Sequence, residues 1–211
     1  MSVDTVPDFN PFRLTLRNRW LAGLLERMLG LHALAGHYDA ARKNGNTSDF
    51  LTDVLSGLGV RLTSIDHHNV MADLPKEGPL LIVANHPLGG LEGVAITKLL
   101  LEHRPDTRVL TNELLRRIPE LRDTFIGVDV LSKDATRANL KGIRTATKHL
   151  VDGGALLLFP AGKVASVNIK KRTIEDHQWN RLAGSLMQKS GATCLPIHVD
   201  GYNSKLFYLM A

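Results

Sequence analysis

Two five-residue runs with no polar atom in any side chain, Leu80–Ala84 and residues 155–159, constrain this chain more than any other feature. Each stops in a turn rich in Pro and Gly: Asn85-His86-Pro87-Leu88-Gly89-Gly90 after the first, Pro160-Ala161-Gly162-Lys163 after the second. A strand with one face in water alternates apolar and polar residues, so an unbroken apolar run of this length belongs to a strand covered on both faces. Helices are the usual cover, and apolar residues recur at helical spacing over 92–103, 137–151 and 178–189, with a short helix over 113–117. Further strands are expected over 108–110, 125–128 and 194–199. Strands alternating with helices predict an α/β fold, a mostly parallel central sheet flanked by helices.

The N-terminal part reads differently. Phe12, Leu16, Trp20, Leu24 and Met28 form an apolar stripe over 11–34, accompanied by Arg13, Arg17, Arg19 and Arg27. Such an amphipathic helix either packs on the domain core or lies on a lipid surface, and the arginine bias is what favours the second reading. The loop 43–48 is expected to supply Thr47 or Ser48 as cap of a short helix ending near 57–59. Two short strands are expected at 60–65 and 70–74, around a turn at 66–69 that carries His67 and His68, a solvated pair on this reading. The organisation is then a helical region, 1–58, and an α/β domain, 59–211.

No run approaches the roughly 20 apolar residues of a membrane span. The N-terminus also lacks a basic-then-apolar leader, so a cytoplasmic location is expected. The single cysteine, Cys194, forms no internal disulfide and fits a reducing compartment. A net charge of +5 and a pI near 9.5 favour an anionic partner: phosphate, nucleic acid or a membrane surface. Aromatic content of 5%, without aromatic and basic residues interleaved, argues against nucleic acid. The apolar tail 202–211 is expected to dock on the fold or on a membrane, unless the chain stops short there.

The two turns carry the chemistry. His86 at a strand exit can act as a general base near neutral pH, Gly89 and Gly90 let the backbone bend, and Glu92 stands where a carboxylate can fix the imidazole tautomer. The plainer reading is a turn in which His86 caps the strand and Glu92 complements the helix dipole. The second turn is no triphosphate loop, because Leu157 and Val164 occupy positions that need Gly and Ser or Thr. It presents Lys163, and the basic run Lys170-Lys171-Arg172 follows, suited to an anionic headgroup or simply to solvent. Asp129 and Arg137 are candidates to line the same cleft.

In their order along the chain, Asn85-His86 with Glu92, residues 125–129, Phe159-Pro160-Ala161-Gly162 and Leu195-Pro196-Ile197 resemble the four sequence blocks of the glycerolipid acyltransferase family. The string NHPLGGLEG together with FPAG is most similar to its hemolysin-like, ornithine-lipid branch, and the resemblance covers about 79–201. It implies acyl transfer from acyl-CoA or acyl carrier protein to a lysolipid hydroxyl at an anionic membrane surface, with no cofactor and no metal. His86 would be the catalytic base and Glu92 its support, with the turn Gly89, Gly90 and Leu91 facing the oxyanion. Asn85, Phe159, Pro160, Gly162 and Lys163 would form the substrate side, with Lys170, Lys171 and Arg172 as headgroup ligands. Two departures stand out. The acid falls one position later than in the commonest pattern, with Leu91 in the usual slot, and Ala161 replaces a glutamate that in most relatives helps organise the acceptor's phosphate site. They motivate a rival, a membrane-binding scaffold that kept the fold and lost turnover.

Overall fold

The structure is a computed structural model and describes residues 10, 36, 38–39, 46–63, 71, 73–128, 135–168, 171, 173–203 and 208. The predicted helix over 11–34, the His67-His68 pair, Asp129, Lys170 and Arg172 lie outside the described residues. Among the described residues, besides the helical positions 36, 38–39 and 208, four α-helices, α1 (Thr47–Gly57), α2 (Gly90–His103), α3 (Ala135–Val151) and α4 (Leu182–Ser190), accompany seven strands. These are β1 (Leu80–Ala84), β2 (Arg108–Asn112), β3 (Phe125–Val128), β4 (Ala155–Leu158), β5 (Ser166–Asn168), β6 (Thr173–Glu175) and β7 (Thr193–Ile197). Five strands form one sheet in the order β3-β2-β4-β1-β7, with every pairing parallel. In register, Leu80 stands beside Ala155 and Thr193, and Ile82 beside Leu157 and Leu195.

The apolar runs are central strands for the reason their composition gives. Leu80, Ile82, Ala84 and Leu157 point to one face, where Phe50 and Leu51 of α1 and Ile96 and Leu100 of α2 cover them. Leu81, Val83, Leu156 and Leu158 point to the other, against Ala146 and Leu150 of α3 and Leu186 of α4. Each fully buried leucine contributes about 1.5–3 kcal/mol relative to exposure, so these strands hold the three layers together.

The connections place the site. After β1 the chain leaves through α2 on one face, whereas after β4 it proceeds to α4 on the other. In open α/β sheets the carboxyl ends of two neighbouring parallel strands whose connections part in this way usually bound a crevice, the common ligand position. Both Pro- and Gly-containing turns leave from those two strand ends.

Four local expectations need correction. The cap of α1 is Asn46, whose side chain accepts from the Asp49 N–H at 2.9 Å, while Thr47 donates to the Glu120 carbonyl at 2.6 Å. The described parts of 60–65 and 70–74 contain no strand: the Val60 N–H closes back on Leu55, and Leu74 is buried in a bend. Helix α4 begins four residues later than expected, because Asn180 turns back to accept from the Leu182 N–H at 2.9 Å. Finally, β5 and β6 form an antiparallel hairpin around the basic run, where no strand is expected from the sequence.

At the opposite end of the sheet, fully buried Arg104 donates to the carbonyls of Pro75, Gly78 and Gly153 at 2.7, 3.1 and 3.0 Å. It also grips Asp106 through two bonds of 2.8 and 2.7 Å, and Asp106 accepts from the Ala155 N–H at 3.2 Å. The loops leading into β1 and β4 are thereby tied to the end of α2.

Candidate active site

The first turn is anchored before it bends. Asn85 donates to the Val199 carbonyl at 2.9 Å and accepts from the Val199 N–H at 2.7 Å, so its amide brackets the exit of β1 to the chain beyond β7. The His86 carbonyl accepts from the Ala165 N–H at 2.8 Å, and its ring stacks on Phe159 with centroids 4.4 Å apart at 27°. The two turns therefore meet at His86.

Glu92 stands in the first turn of α2 and closes the bend on itself. One oxygen, Oε1, accepts from the N–H of Leu88 and of Gly89 at 2.9 Å each and lies 2.8 Å from His86 Nδ1. The glutamate side chain is 2% exposed and the imidazole 19%. Among the described residues Oε2 has no partner. A carboxylate at Nδ1 selects the tautomer with hydrogen on Nδ1 and leaves the Nε2 lone pair to accept a proton. Gly89 makes the geometry reachable: its φ of 82° lies in the left-handed region, where a side chain would be strained. The longer His-to-acid spacing is taken up in this bend.

The Gly89 N–H is committed to Glu92. Gly90 and Leu91 are the first residues of α2, where backbone N–H groups have no intrahelical acceptor. Such N–H groups, helped by the dipole of the helix, are able to stabilise a negative charge.

Around the second turn Pro160 is buried, Gly162 adopts φ 68°, and Lys163 is exposed. Lys171 is drawn into the hairpin, where its ammonium pairs with Glu175 at 3.1 Å. Bonds from Asn168, Thr173 and Lys171 hold the Glu175 carboxyl below its ordinary value. Arg137 falls in the first part of α3. Among the described residues no three His, Cys, Asp or Glu side chains converge to hold a metal ion.

Three residues escape a reading of the sequence. Asn203 donates to the Leu88 carbonyl at 3.0 Å, and Tyr208 donates to the Pro87 carbonyl at 3.0 Å while accepting from the Asn203 N–H at 2.8 Å. Gly201, at φ 146°, packs against Leu88. Where it is described, the tail docks on the fold, at the turn that carries His86.

A parallel three-layer α/β fold with a histidine–carboxylate pair at its strand-exit crevice defines a class of catalytic domain rather than one protein. A sequence profile described as acyltransferase matches residues 46–211, and the chain belongs to that family. It is similar to two curated proteins named lyso-glycine lipid O-acyltransferase, from Phocaeicola vulgatus and Bacteroides thetaiotaomicron. Each is 28% identical over 145 residues, which is 67% and 66% of this chain respectively and 49% of either relative. The chain spans about half the length of these curated relatives. Among the described residues no helix is long and apolar enough to cross a membrane.

Proposed function

We propose that this protein transfers a fatty acyl group from an acyl thioester to the hydroxyl of a lysolipid, working as a peripheral enzyme on the cytoplasmic face of a membrane. The observation that carries the proposal is the 2.8 Å contact between His86 Nδ1 and Glu92 Oε1 at the crevice. Nε2 accepts the acceptor's hydroxyl proton as that oxygen attacks the thioester carbonyl carbon. The resulting oxyanion faces the N–H groups of Gly90 and Leu91. Collapse breaks the C–S bond, and the imidazolium returns its proton to the departing thiolate of coenzyme A or the carrier protein. Glu92 steadies the imidazolium between the two transfers. No step calls on a metal or a cofactor.

The names of the relatives and the absence of a glutamate at Ala161 both favour an amino-acid lipid acceptor over a glycerol phosphate one. The decisive assay offers labelled acyl thioester with lyso-glycine lipid, lyso-ornithine lipid and lysophosphatidic acid. Acylated product is expected with at least one amino-acid lysolipid. His86→Ala should lower the rate by at least about 10²–10⁴-fold, the typical value of a positioned base, with an unchanged circular dichroism spectrum. Full activity in that variant removes the mechanism. Absence of thioester consumption in the wild type favours the scaffold reading that Ala161 motivates.

A further inference from the structure

The chain between Ala165 and Asn180 leaves the site and comes back to it. At its start the Ala165 N–H bonds the His86 carbonyl at 2.8 Å, and at its end the Asn180 N–H bonds the Pro160 carbonyl at 3.1 Å. Between these feet stands the hairpin of β5 and β6, separate from the main sheet, with Val167 opposite Ile174. Directly opposed residues share a face of a β-ribbon, and their neighbours take the other. The neighbours satisfy one another: Glu175 accepts from Asn168 at 2.9 Å and from Thr173 at 2.8 Å, and pairs with Lys171.

The apolar face lacks such cover. Val167 and Ile174 are 44% and 43% exposed, and Trp179, just beyond the hairpin, is 45% exposed with its indole N–H held by Asp176 at 2.7 Å. Three-residue strands cannot bury this face themselves, and large apolar side chains left exposed on one short hairpin and just beyond it favour a surface that covers them. Along the chain Lys163 precedes the hairpin and Lys170, Lys171 and Arg172 fall between its two strands, against Glu175 and Asp176. Aliphatic side chains, an indole with its polar edge anchored, and surplus cations suit the headgroup boundary of an anionic bilayer.

We propose that the β5–β6 hairpin is the arm that seats the site on an anionic membrane, with Val167, Ile174 and Trp179 entering the headgroup region. Because both feet bond to the His86 and Pro160 carbonyls, seating the arm brings the imidazole to the surface from which a lysolipid offers its hydroxyl. This deepens the lysolipid reading above and rests on it.

The test uses the full chain with Trp20→Phe, which leaves Trp179 as the sole indole of the two in the sequence. Vesicles of phosphatidylglycerol and phosphatidylcholine, brominated at defined acyl depths, are titrated in. Quenching of Trp179 strongest for shallow bromines, absent with phosphatidylcholine alone and weakened by salt, is expected. V167S/I174S, checked for folding by circular dichroism, should bind these vesicles about tenfold more weakly or worse. Unchanged affinity in that variant overturns the proposal, as does vesicle binding that leaves Trp179 unquenched. A Trp179 response to an acyl carrier protein but not to vesicles overturns it in favour of a donor-docking arm. Quenching without thioester consumption supports the arm and removes the acyl-transfer reading, whereas consumption without quenching does the reverse.

Discussion

A single oxygen of Glu92 holds three hydrogen-bond partners, and this economy gives separate handles on geometry and charge. Glu92→Gln keeps an oxygen for the Leu88 and Gly89 N–H groups but removes the negative charge facing the imidazole. Glu92→Ala removes both and orphans two backbone donors in a buried turn. The alanine variant is therefore expected to lose about 2 kcal/mol or more of stability in chemical denaturation. The glutamine variant should lose much less while its acyl-transfer rate still falls. Equal stability of the two would show that the carboxylate does not close the turn. His86 and Glu92 were legible together because they lie six residues apart on one bend. Asn203 and Tyr208 reach the same bend from more than a hundred residues away, and no local pattern marks such partners.

Among the described residues, elements with a strong pattern of their own were readable, whereas the hairpin, which relies on its partners, was not. The runs in β1 and β4 need no neighbour to be recognised, since only a doubly covered strand tolerates them. The expected strands near 60 and 70 alternated imperfectly, and no edge of the sheet receives the described residues there. The hairpin was hidden because its three-residue strands hold a single apolar pair beside a run of cations. Packing between elements also sets a limit no period shows. Gly154 lies directly against the His149 ring, which bonds the Ala155 carbonyl at 3.0 Å, and a Cβ at Gly154 would collide with it. Gly154→Ala should lower the melting temperature by several degrees, roughly 1–3 kcal/mol for overpacking at a buried site. Burial holds the His149 imidazole below its ordinary value of 6.5. The unfolded chain is then the better proton acceptor, so stability is full above that value and declines as pH falls beneath it. His149→Gln should flatten this limb of a stability–pH profile.

At the scale of the molecule, the two ends of the sheet have different work. One end carries the crevice, and the other carries Arg104, which gathers three carbonyls and Asp106 where the loops enter β1 and β4. Removing the guanidinium leaves those three carbonyls without their donor and Asp106 without its cation, so Arg104→Met should cost about 3–5 kcal/mol by urea titration. Bonding to Arg104 holds the Asp106 carboxyl below its ordinary 3.8, despite the opposing effect of burial. Its stabilisation is present above that value and fades as acid protonates it, a loss Asp106→Asn should show already at neutral pH. The crevice is also where the tail arrives. Tyr208 and Asn203 clasp the carbonyls of Pro87 and Leu88, so side chains more than a hundred residues downstream hold the loop bearing the imidazole. Tyr208→Phe should slow turnover while leaving every group that meets substrate in place. Severing the chain between Asn203 and Tyr208 would then act at long range, by loosening that loop while every reacting group stays on the molecule.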